Sequence, residues 1–120
     1  MNQPRITANI TFLPKSDGGR DVPPANLSSG QYRPHLVVNP NQLRGLTMDG
    51  VDGETYLGVT FARGPSEIIP GEPFIAELVL MYWPNIKYDA LIPGATFTIR
   101  EGPHTVGYGR VESVLSDGAT

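Results

Sequence analysis

The sequence predicts an all-β domain, either a closed antiparallel barrel or a sandwich, on three observations. Period-two alternation of apolar and polar residues dominates, and no stretch carries a helical stripe. Six or so strand-like segments are separated by turn signals at roughly regular spacing, supplied by 14 glycines and 12 prolines spread along the chain. At 120 residues and 39% hydrophobic, the chain suits one domain, 1–120, whose core needs no covalent staple. Closure into a barrel would also hide strand edges that invite aggregation.

The first element is the segment Ile6 to Phe12, whose strict alternation reads as a half-buried strand ending at Leu13-Pro14. Lys15 to Arg20 is a turn-rich loop, and Val22 to Ser29, with Pro23-Pro24, is an extended connector. Tyr32 to Val38 is a second strand, with Pro34 marking an edge or bulge position. The Asp- and Gly-rich stretch from Asn39 to Glu54 is expected to protrude as a long loop. Tyr56 to Ala62 places Leu57, Val59 and Phe61 on one face of a third strand. Pro70-Gly71 turns the chain into the longest predicted strand, Phe74 to Trp83. After the Pro93-Gly94 turn, Thr96 to Arg100 alternates with Phe97 and Ile99 inward. His104 to Leu115 closes the chain as one long strand, or two short ones around Gly107 and Gly109.

Composition excludes several functions. No cysteine means no disulfide, no thiolate catalysis and no cysteine-bound zinc. The net charge of −3, nine basic residues against twelve acidic, argues against strong general affinity for nucleic acid while leaving a local basic patch open. Met1 to Ile10 has neither the basic nor the apolar region of a secretory signal, and the Phe74–Trp83 run is broken by Glu77 and too short to cross a bilayer as a helix. Without a signal, the sequons at Asn9 and Asn26 read as chance matches. The expected compartment is cytoplasmic, with no membrane partner.

Chemistry-bearing motifs are missing. No Gly-Lys pair occurs, so no phosphate-cradling loop of the G-x-x-x-x-G-K-[ST] type is present, and Gly18-Gly19-Arg20 leads to prolines instead of a helix. His35 and His104 lack the spacing of metal ligands and read as structural or solvent-facing. Asp49 to Glu54 fails the calcium-loop spacing and reads as a solvated turn. No G-x-S-x-G elbow or comparable catalytic set is placed by local sequence, so no catalytic residue, metal or cofactor is assigned and the chain is not read as an enzyme. Tyr82, Trp83 and Tyr88 cluster around Pro84, where they would either cap the core or, if exposed, form a protein interface.

Three stretches stand in order along the chain. They are Phe12 to Arg20, ending in Gly-Gly-Arg; Gly30-Gln31-Tyr32-Arg33-Pro34; and Phe97 to Gly102, followed by Thr105-Val106-Gly107-Tyr108-Gly109. Ile69-Pro70-Gly71-Glu72 falls between the second and third. Over about residues 5–115 this pattern resembles the third domain of elongation factor Tu, as a domain without its GTPase partner. The resemblance implies a six-stranded antiparallel closed β-barrel. In that family the domain packs on the GTPase domain and touches the T-stem backbone of aminoacyl-tRNA. The positions that match those contacts are Arg20, Glu101 and Gly102. A guanidinium forks onto phosphate, and a glycine admits close backbone approach. The chain departs from the family at Asp21, where the family has His, and at Pro103-His104, where it has Gly-Arg. The resulting expectation is a stand-alone, non-catalytic module that binds a protein partner: a GTPase domain, a translation component or a toxin-like mimic. Weak tRNA binding through Arg20, Glu101 and Gly102 is the alternative, and an uncharacterised enzyme the third reading.

Overall fold

The structure, a computed structural model, describes residues 4–24, 27–38, 56–83, 86 and 88–115. The stretch 39–55, expected to be a protruding loop, and the acidic turn within it lie outside these residues, as does Pro84. Six strands form: β1 (Arg5–Phe12), β2 (His35–Val38), β3 (Leu57–Arg63), β4 (Phe74–Leu80), β5 (Thr96–Glu101) and β6 (His104–Leu115). They close into a barrel in the order β1-β4-β3-β2-β5-β6, and every ladder is antiparallel. Of the two architectures open to the sequence, the barrel is the one adopted.

Alternation explains the interior. Ile6, Ala8, Ile10 and Phe12 of β1 point inward with Leu57, Val59 and Phe61 of β3, Ala76 and Leu78 of β4, and Phe97 and Ile99 of β5. Each large side chain buried there contributes about 1.5–3 kcal/mol of transfer free energy. In β6 the inward side chains are Val106 and Val111, an odd spacing that simple alternation forbids. The first of two register shifts in β6 resolves it. Ile99 pairs with Gly107 but Arg100 pairs with Thr105, so Val106 is the extra residue; Thr7 pairs with Ser113 but Ala8 with Val111, so Glu112 is another. Gly107 and Gly109 lie between these bulges within one continuous strand. A Cβ at Gly107 would stand 2.7 Å from the Thr11 carbonyl oxygen, and one at Gly109 2.6 Å from that of Asn9 and 2.7 Å from the Phe97 ring. Glycine is required where β6 presses onto β1.

Three predicted elements end elsewhere. The second strand begins at His35 instead of Tyr32, because Pro34 has no N–H for the ladder. The Pro34 carbonyl instead accepts from the Val59 N–H at 3.1 Å, and the Tyr32 carbonyl from the Thr60 hydroxyl at 3.0 Å. The strand expected to reach Trp83 stops at Leu80, where the Leu80 carbonyl accepts from the Trp83 N–H at 3.4 Å and closes a turn. The longest strand is therefore β6, at 12 residues. The connector after Val22 contains a 3-10 turn, Leu27–Ser29, whose Leu27 is buried in the core.

Candidate functional site

The loop after β1 is built to hold Arg20. Lys15–Asp17 form a 3-10 turn closed by Gly18 at φ 95°, and the Gly19 N–H returns to the Pro14 carbonyl at 2.9 Å. A Cβ on Gly19 would lie 1.9 Å from the Leu13 carbonyl oxygen, so this second glycine lets the loop fold against its own strand. The β5–β6 hairpin supplies the opposing group. Glu101 pairs with His104 across a tight turn in which Gly102 takes φ 62°.

The expected site residues Arg20, Glu101 and Gly102 are thus brought together, and Tyr32 joins them. The Arg20 Nη1 donates to Glu101 Oε2, its Nε donates to the Val22 carbonyl at 2.8 Å, and its Cζ stands 5.6 Å from the centre of the Tyr32 ring. The Tyr32 hydroxyl donates to the same Glu101 oxygen at 2.7 Å. Beneath, the Tyr32 ring packs on the core against Phe61 at 6.0 Å and Phe12 at 6.1 Å. Burial pushes the Tyr32 hydroxyl well above its usual pKa, and the hydrogen bond to Glu101 and that carboxylate's charge push it the same way. For Arg20, burial is the largest single influence and acts to lower the pKa, but the hydrogen bonds and charges of Glu101 and Tyr32 together outweigh it and the net shift is upward.

A shallow depression beside this cluster is lined by Arg20, Asp21, Val22, Glu101 and His104. Its charges are matched: Arg20 pairs with Glu101, and Asp21 lies 3.4 Å from Lys15, with both of the latter exposed. Exposed pairs of the second kind contribute about 0.2–1 kcal/mol at most. Tyr32 was not foreseen as a member. Its neighbour motif Gly-Gln-Tyr-Arg-Pro was visible, but nothing local shows that its hydroxyl meets a carboxylate 69 residues away.

The aromatic trio separates. Tyr88 is buried (6% exposed), its hydroxyl donating to the Gly58 carbonyl at 2.7 Å and accepting from the Tyr82 N–H at 3.0 Å. Tyr82 lies over Gly58, where a Cβ would meet its ring at 2.3 Å, yet it remains 49% exposed, and Trp83 is 39% exposed. Trp83 borders a mainly apolar groove of about 270 Å³ at one end of the barrel, with Pro4, Leu80, Leu91, Ile92 and Val114, and Tyr88 and Asp89 add polar groups to its wall. His35 stacks edge-on against Tyr56 at 5.8 Å, and among the described residues no group of His, Asp and Glu could hold a metal ion. No family model matches the chain.

Proposed function

We propose that this barrel is a non-catalytic interaction module akin to the third domain of elongation factor Tu. Its partner is a protein, a GTPase domain or another translation component, docked on the apolar end of the barrel. The observation that carries this reading is the groove bordered by Trp83, Ile92 and Val114. These are large apolar side chains left partly or largely exposed around a concave surface, next to the exposed Tyr82. The Arg20 cluster favours the same reading indirectly. Its guanidinium is already matched by Glu101, so a phosphate would have to compete with a resident carboxylate.

The test is affinity capture with the wild-type barrel and with a Trp83→Ala, Ile92→Ala double variant, followed by identification of the bound proteins. A GTPase or translation component retained by the wild type and lost with the variant supports the reading. Enrichment of nothing above background, or of proteins indifferent to the double change, ends it. A second reading, weak tRNA backbone contact, is favoured by the convergence of Arg20, Glu101 and Gly102 in space. It requires that binding fall clearly between about 50 mM and about 200 mM salt, and that Arg20→Gln flatten the slope by about one unit.

A further inference from the structure

We propose a separate binding site on the outer wall of the barrel, a groove across β1, β6 and β5 that takes a neutral polyhydroxyl ligand, a sugar or short oligosaccharide. The groove encloses about 490 Å³, within the range of small-molecule sites, and its lining includes Asn9, Thr11, Thr98, Tyr108, Arg110 and Glu112. Register accounts for the grouping. β6 runs between the other two strands, so Tyr108 sits between Thr11 and Thr98, and Arg110 between Asn9 and Thr96. Gly107, Gly109 and Val111 take the inward positions, which sends Tyr108 and Arg110 to the outer face. The bulge at Glu112 adds its carboxylate to the same wall.

The composition of that wall selects the ligand. Tyr108 is 49% exposed and, among the described residues, has no aromatic or cationic partner for its ring. Its cross-strand neighbours are threonines, so the ring is not held there by aromatic pairing across the sheet. Nor are the side chains of Asn9, Arg110 and Glu112 bonded to other described residues. A sugar ring has an apolar C–H face for an aromatic and a rim of hydroxyls that both donate and accept. The Asn9 amide, the Arg110 guanidinium and the Glu112 carboxylate answer that rim. The Thr98 hydroxyl is already engaged by the Arg100 Nε at 2.9 Å and Thr11 is buried, so these threonines shape the wall. One arginine and one glutamate cancel, so the groove lacks the positive field that a phosphate-bearing strand requires. All of these groups stand on strands of a closed barrel, which orders them before any ligand arrives.

The experiment titrates the 15N-labelled chain with neutral hexasaccharides of four linkages: cellohexaose, maltohexaose, laminarihexaose and chitohexaose. Hexauridylate serves as the phosphate-bearing comparison. At least one sugar is expected to give saturable shifts at the amides of Asn9, Thr98, Tyr108 and Arg110, with a Kd below about 1 mM. Tyr108→Ala should weaken that binding by about tenfold or more, Tyr108→Phe by no more than about threefold, and Arg110→Met by several-fold. The variants' amide spectra report directly that the barrel is folded, as expected for exposed positions. The proposal is overturned if no sugar saturates up to about 10 mM, if Tyr108→Ala leaves the affinity unchanged, or if hexauridylate binds these amides more tightly than every sugar.

Discussion

At Tyr32 one hydroxyl sits over the core and gives its hydrogen bond to a carboxylate already held by an arginine. The phenolate form would face Glu101 across that contact, and this fixes a pH dependence. The folded-state pKa lies above the ordinary value of about 10, so the stabilisation is complete below pH of about 10 and is lost as pH rises toward the folded pKa. Within that window this one group lowers stability by at most about 1.4 kcal/mol per pH unit. Urea unfolding of the wild type and of Tyr32→Phe, followed from about pH 9 to about pH 11, should show the steeper decline in the wild type. Parallel curves would mean that the hydroxyl does not occupy this environment. The two glycines of the cluster differ in the same way that their surroundings do. Gly19→Ala drives a methyl into the Leu13 carbonyl and should cost more than about 2 kcal/mol, because backbone cannot yield as a side chain can. Gly102→Ala meets no atom and suffers only its positive φ, about 1 kcal/mol. Thermal or chemical unfolding of the pair checks the ranking, and equal losses would contradict it.

Among the elements, β6 carries the most unusual demands, since two bulges and two inward glycines set how it lies between β1 and β5. Gly109→Val should therefore unfold the barrel or cost several kcal/mol, whereas Tyr108→Val next to it, on the outer face, should change stability by about 0.5 kcal/mol or less. Circular dichroism melts of the two variants would separate them, and similar melting points would mean that the face assignment of β6 is wrong. Alternation was enough to read β1, β4 and β5, which bury every second residue, because the side-chain period is a property of the chain itself. β2 instead buries Leu36, Val37 and Val38 in succession and reads as a short apolar run between turn signals. Neither pattern was enough for the ends of β2 and β4. At Pro34 a missing N–H terminates pairing, and at Met81 a turn closed by Trp83 overrides an apolar run that still reads as strand. The bulges were invisible for a similar reason: an extra residue shifts the pattern only once the partner strand is known. The family likeness singled out Arg20 and Glu101 separately, but neither it nor any local pattern shows that the two, 81 residues apart, bond to each other, and Tyr32 followed from neither.

For the molecule as a whole, closure is what couples distant sequence. β1 pairs with β4 and with β6, so the barrel shuts only when both ends of the described chain have come together, while β5 and β6 form a hairpin separated by two residues. Local pairs form at small loop-closure cost and non-local ones at greater cost, so hairpin contacts should be developed in the folding transition state before the closing seam. Ile99 of β5 and Ile10 of β1 are both fully buried and permit the same deletion of one methylene group. Ile99→Val and Ile10→Val should each destabilise the fold by about 0.5–1.5 kcal/mol. Their kinetic signatures should differ: the β5 change slows folding, whereas the β1 change mainly accelerates unfolding. Stopped-flow refolding and unfolding across a urea series measures both limbs. Equal partition of the two losses between folding and unfolding rates would place the seam in the nucleus and remove the hairpin-first order.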